Sequence, residues 1–234
     1  RWLVAEFSIT GTNDYMLVAV STSPDPTGTW HRYSFDVDDM PDYPKLGVWR
    51  DGYYMGTNTA TAGRKDIYVL ERSKMLIGAT AQMVGFKNSL RPNSGFHCVP
   101  PVDNDGTLAP EGSPGIFITI NDDAWGGADQ IWIYELNVNW TTPASSTFAR
   151  TQQINVPAFD SNFGSSWDNI AQKGTTQKLD AVNQILMQRP QFRNFGTYQT
   201  IVACHTVDVT GTDQAGIRWY ELRRTGTGPW SIRQ

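Results

Sequence analysis

The sequence is short of several things, and each shortage narrows what the chain can be. Two cysteines, Cys98 and Cys204, occur in 234 residues. Two thiols cannot form a metal site alone, and they leave open either one long-range disulfide in an oxidising compartment or two buried free thiols. The three histidines, His31, His97 and His205, stand far apart with no H-x-x-x-H spacing, which argues against zinc. Charge is thin: 18% of residues are charged, the net charge is −4, and no basic cluster exceeds Arg223-Arg224. The electrostatic footprint of a nucleic-acid binder is therefore missing. Apolar runs such as Tyr15 to Val20 fall far short of the roughly 20 residues that cross a bilayer, so no membrane span is expected. Nucleotide chemistry is set aside too, because no Gly-x-Ser-x-Gly, Walker or dinucleotide fingerprint occurs. The chain opens inside a strand-like stretch, Arg1 to Phe7, so any export signal was lost upstream or never existed.

What the chain does have is aromatics and turns. Nine tryptophans, nine tyrosines, ten phenylalanines and 21 glycines indicate many aromatic-rich strands separated by turns, within one domain. The stretch Asp42 to Asn58 reads as two strands joined at Asp51-Gly52, a dipeptide suited to the positive φ angles of a tight hairpin.

This hairpin recurs. Ile131-Trp132-Ile133-Tyr134-Glu135-Leu136 matches Ile217-Arg218-Trp219-Tyr220-Glu221-Leu222, with a weaker copy at Asp66 to Glu71. An apolar strand precedes each copy: Tyr53 to Thr57, Gly115 to Ile120 and Thr200 to Cys204. Further strands are expected at Trp2–Ile9, Asp14–Ser21, Trp30–Phe35, Pro44–Arg50, His97–Val102, Phe148–Ile154, Ile185–Phe192 and Trp230–Arg233, with a helical turn near Lys74. Four antiparallel strands per unit at irregular intervals predict an all-β chain, a β-propeller of four-stranded blades. About four blades are expected, near 1–40, 41–90, 91–160 and 174–234, in a ring left incomplete because the first unit lacks its innermost strand. A β-sandwich is the structural rival.

Several motifs resemble a family of large secreted bacterial proteins of unassigned function expected to be β-propellers. They are Asp25-Pro26-Thr27-Gly28-Thr29-Trp30, Asp42 to Met55, Gly174 to Asp180, Arg193-Asn194-Phe195-Gly196, His205 to Asp208 and Ala215 to Leu222. The resemblance covers nearly the whole chain and implies a secreted or cell-surface protein. It carries no activity, and Cys98 and Cys204 depart from its pattern.

In a propeller, the innermost strands and the loops leading into them face the central channel, where ligands usually bind. That criterion selects Tyr43, Lys45, His97, Arg189 and Arg193 as ligand-binding candidates. Asp42, Glu111 and Asp180 are the carboxylates available for acid and base work on a glycoside. The alternative is that Asp42 and Asp180 cap turns while Lys45, Arg189 and Arg193 pair with them and close the channel. Trp125 and Trp167 lie in polar or glycine-containing loops, where an exposed indole can stack on a sugar or a partner. Asp103-Asn104-Asp105-Gly106 resembles part of a calcium loop, but Pro101 and Gly112 occupy its first and twelfth positions, which favours a plain turn and no cofactor.

The expected function is an extracellular or cell-surface module that binds glycan or protein. Alternatives are a carbohydrate-active enzyme, hydrolase or lyase, and a subunit that self-assembles through open blade edges. The Asn139-Trp140-Thr141 sequon fits secretion.

Overall fold

The computed structural model describes residues 1–9, 13–59, 61, 63–88, 96, 98–164 and 167–234. The chain is all-β apart from short helical turns. Its strands are β1 (Leu3–Ile9), β2 (Asp14–Ser21), β3 (Trp30–Val37), β4 (Asp42–Val48), β5 (Tyr53–Asn58) and β6 (Ile67–Leu70). Helix α1 (Arg72–Met75) follows, then β7 (Met83–Phe86), β8 (Asp103–Asn104), β9 (Gly115–Asn121), β10 (Gln130–Asn137) and β11 (Thr147–Asn155). The chain continues through β12 (Asp168–Ile170), β13 (Leu179–Asp180), β14 (Gln191–Asn194), β15 (Gln199–Asp208), β16 (Ala215–Arg224) and β17 (Ser231–Ile232).

Four sheets follow one another along the chain, each an antiparallel meander with its strands in sequence order. The first holds β1-β2-β3, the second β4-β5-β6-β7, the third β9-β10-β11 and the fourth β14-β15-β16-β17. As the sequence led one to expect, the first sheet has only three strands. The third gains a fourth segment by a different route. Pro101 bridges Phe117, and backbone bonds join Val102 to Ile116 and Ile118 to Pro100. This segment then runs on as β8 to pair in parallel with β14 of the fourth sheet. A small hairpin, β12-β13, stands apart.

Alternation along the strands explains the packing. In the second sheet Tyr53, Met55, Tyr68 and Leu70 join Met16, Val18, Val20 and Phe35 of the first sheet in one core cluster. The intervening Tyr54, Ile67 and Val69 point the other way and join the third and fourth sheets in a second cluster. Both faces of the second sheet are thus covered, which is why β5 and β6 are buried almost throughout. The sheets stack in chain order. Tyr54 meets Phe117 edge-on at 5.8 Å between the second and third sheets. Between the third and fourth, the Trp230 amide donates to Gln152 Oε1 at 2.8 Å.

Three local expectations need correction. The Asp51-Gly52 turn closes as a hairpin, with the Trp49 amide donating to the Gly52 carbonyl at 3.0 Å, but neither turn residue takes a positive φ. Gly52 is required by contact instead, since a Cβ there would lie 2.4 Å from Val69 Cγ2. Second, the strand expected from Ile185 begins only at Gln191, with Ile185 and Leu186 buried outside any strand. Third, the strand expected over His97–Val102 does not form at residues 98–102, where Pro101 makes only an isolated bridge to Phe117. Trp219, whose register partner in the fourth sheet is Cys204, is 47% exposed.

Candidate functional site

The candidate site forms at the start of β4. Pairing between β4 and β5 is irregular from Asp42 to Lys45, and within that bulge Tyr43 takes φ 52°, in the left-handed region that costs a residue with a Cβ about 1–2 kcal/mol. The bulge re-aims the phenol out of the strand alternation. Tyr43 meets Phe96 edge-on at 5.1 Å, and Phe96 meets Trp167 edge-on at 5.8 Å. Three rings from three separate segments therefore form one connected group, with Trp167 partly open to solvent.

Charged groups surround these rings. The Lys45 ammonium sits 3.3 Å from the centre of the Tyr43 ring, a cation–π contact. Burial lowers the Lys45 pKa, and Cys98 and Asp42 act against that shift. Burial raises the Tyr43 pKa, and Cys98, Asp180 and Asp42 add to the shift. Asp42 Oδ2 accepts from Asn58 Nδ2 at 3.0 Å, and Asp180 Oδ1 accepts from the Val182 amide at 2.7 Å, so among the described residues the second oxygen of each carboxylate has no hydrogen-bond donor. Hairpin β12-β13 holds Asp180 beside Trp167: Asp168 pairs with Asp180, and the Ala181 amide donates to the Trp167 carbonyl at 3.0 Å. A surface with aromatic faces, two carboxylates and one ammonium can stack a ring and hydrogen-bond its hydroxyls.

The other candidates lie elsewhere. Glu111 belongs to the loop whose Ala109 carbonyl accepts from Arg50 Nε and whose Ser113 carbonyl accepts from Trp49 Nε1. That is the far end of β4, about 20 Å from Asp42 at strand rise. Glu111 lines a separate cleft of about 360 Å³ with Glu135, Gln199 and Arg224. Arg189 pairs with neither Asp42 nor Asp180. It bonds Asp103, and its Nη2 lies 3.3 Å from Asp105 Oδ1. Asp103 Oδ1 also accepts from the Val48 amide at 2.7 Å. The carboxylates of this segment are thus engaged by a guanidinium and, at Asp103, by a backbone amide. Arg193 is exposed beside Gly106, and His97 lies outside the described residues.

The cysteines form no bridge. Cys98 is a buried thiol beside Gly56 of the second sheet, whereas Cys204 belongs to β15 of the fourth. Burial pushes both thiol pKa values up, so both are poor nucleophiles. Trp125 is also corrected: its indole donates to Ser161 Oγ at 3.1 Å, anchoring the β9–β10 loop instead of standing free.

In that loop Asp122, Asp123 and Asp129 converge within 4.8 Å. Asp122 accepts from the Ala124 amide and from the amide and hydroxyl of Ser161, while Asp129 accepts from the Asp123 and Phe159 amides. These carboxylates fasten two loops together. The residue that sequence reasoning missed is Phe96. It comes from a loop with no strand periodicity, and nothing in its spacing links it to Tyr43 or Trp167.

No protein-family model matches the chain, and searches of curated proteins and of solved structures returned no match either.

Proposed function

We propose that the chain is a β-propeller-type binding module of the extracellular space or cell surface, and that it takes a glycan at Tyr43, Phe96 and Trp167. Serial meander sheets stacked in chain order, each entered through a loop from the preceding one, support the propeller reading. The extracellular setting draws support from the motif resemblance and the Asn139 sequon. One observation carries the functional reading: a strained bulge aims Tyr43 into a three-ring group flanked by Asp42, Asp180 and Lys45. Strain of this kind concentrates at ligand sites because surrounding structure must be built to hold it.

The test is glycan-array binding by the wild type, Trp167→Ala and Asp180→Asn. Binding by the wild type that falls at least about tenfold in Trp167→Ala supports the reading, given what stacked aromatics contribute at hot spots. Absence of any glycan bound, or equal binding by Trp167→Ala, contradicts it.

A carbohydrate-active enzyme is the second reading, favoured by the placement of Asp42 next to Tyr43 at the start of β4 and of Asp180 beside Trp167 in hairpin β12-β13. It requires that the bound glycan be cleaved and that Asp42→Asn or Asp180→Asn abolish cleavage without abolishing binding.

A further inference from the structure

Along β16 the buried positions alternate as Tyr220, Leu222 and Arg224. The first two join the core cluster shared with the third sheet, and the last puts a guanidinium where the alternation calls for another apolar side chain. Arg224 is only 7% exposed. Its Nε donates to Gln199 Oε1 at 2.8 Å, and its guanidinium carbon lies 4.5 Å from the centre of the Trp230 ring, so the group is held in one orientation. Among the described residues neither Nη nitrogen makes a hydrogen bond. Glu135 of β10 faces it with Oε1 3.8 Å from Nη1, close enough for charge attraction and too far for a hydrogen bond. A buried guanidinium kept for stability alone has its donors satisfied, whereas these border the cleft of about 360 Å³.

The rest of the cleft adds charge of the other sign. Glu111 lines it from the turn 110–113, which the Ser113 amide closes by donating to the Pro110 carbonyl at 3.1 Å. The Ala109 amide, donating to Asn104 Oδ1 at 2.7 Å, fixes the start of that turn. Neither Glu111 nor Glu135 accepts a hydrogen bond among the described residues. Gly112, Gly196 and Gly226 also line the cleft, and a Cβ on any of them would meet nothing within 4 Å, so its mouth is open.

These charges select the ligand. A simple anion on Arg224 would face two carboxylates, and a simple cation on the carboxylates would face Arg224. A molecule carrying both signs meets each group with its opposite. The 3.8 Å between the protein's own opposite charges calls for a ligand whose carboxylate and ammonium sit on one carbon. We infer that this cleft binds a free α-amino acid, its carboxylate taken by the two Nη nitrogens of Arg224 and its ammonium by Glu135 and Glu111. The cleft is separate from the Tyr43, Phe96 and Trp167 group, so the inference stands whether or not that group binds a glycan.

The test is isothermal titration calorimetry of the intact chain with each of the standard L-amino acids, then with the methyl ester and the N-acetyl derivative of any that binds. At least one amino acid is expected to bind with a Kd of about 1 mM or tighter. Its ester and its N-acetyl derivative are each expected to bind at least about tenfold more weakly, because each removes one charge-assisted contact. Glu135→Gln should weaken binding roughly threefold or more, and Arg224→Gln should abolish it, with thermal melts verifying that both are folded. If Arg224→Gln unfolds, the derivatives decide alone, since they leave the protein unchanged. Failure of every amino acid to bind overturns the inference. So does an ester or N-acetyl derivative that binds as tightly as its parent, or wild-type binding by Glu135→Gln or by folded Arg224→Gln.

Discussion

Gly56→Ala probes the packing of the second sheet on the segment that enters the third. Gly56 lies in β5, and a Cβ there would stand 2.1 Å from the Val99 carbonyl oxygen and 3.6 Å from Cys98 Sγ. Ordinary contact begins near 3.4 Å, so main chain must move by more than an ångström, and no rotamer change can relieve it. Overpacking of a filled core costs about 1–3 kcal/mol, and a backbone obstacle places this site at the upper end. Alanine restricts the unfolded chain and returns about 0.4–1 kcal/mol. The net expectation is a loss of about 2 kcal/mol, or a fall of roughly 4–8 °C in Tm for a chain of this size. Differential scanning calorimetry measures it, with Gly28→Ala as control, where the nearest atom to a new Cβ is an ordinary 3.5 Å away. If Gly56→Ala melts at or above the wild type while Gly28→Ala does likewise, the two sheets are not in the contact described.

Two further outcomes follow from buried charge. His205 is fully buried, stacked on Tyr220 with Nε2 3.1 Å from its hydroxyl, and burial pushes its pKa down to about 4. The unfolded imidazole takes up its proton near pH 6.5, so the unfolded state binds more protons between the two values. Stability is therefore whole above about pH 6.5 and is lost by about 3 kcal/mol as pH falls toward 4, a slope that denaturant titrations should show shrinking in His205→Gln. Arg189→Ala strips Asp103, a carboxylate only 5% exposed, of its counter-ion. Because the guanidinium itself is largely open to water, the expected loss is about 1–3 kcal/mol by chemical denaturation. Millimolar calcium should leave the wild-type Tm unchanged within about 1 °C, since a ligand that does not bind cannot stabilise.

Much of the fold was legible because strand alternation and turn residues are local. Asp14–Ser21 is a strand over the expected bounds, and the repeated hexad falls on β10 and β16, with Tyr134 and Tyr220 both buried in the penultimate strand of a meander. The hexad marks the same strand of each meander, although Ile131 is buried and its counterpart Ile217 is 66% exposed. It could not show that the last copy borders open surface, because exposure of Trp219 depends on what covers the sheet and not on the strand's own pattern. The long connections were opaque for a related reason. Residues 156–164 and 167–190 are held by side-chain anchors such as Asp122 to Ser161 and Arg189 to Asp103, which have no period. Hence Tyr43, Lys45, Asp42 and Asp180 could be named as converging, while their link through Phe96 could not. Arg189, grouped with them as part of an expected innermost strand, turned out to hold a different pair of carboxylates.

The most direct measurement of the central claim is the indole N–H spectrum of the nine-tryptophan chain on addition of a bound oligosaccharide. Trp167 should shift with increasing ligand, while buried Trp49, whose indole donates to the Ser113 carbonyl, should stay fixed. A spectrum in which Trp167 does not move, or in which Trp219 moves alone, would contradict the assignment of the site to the Tyr43, Phe96 and Trp167 group.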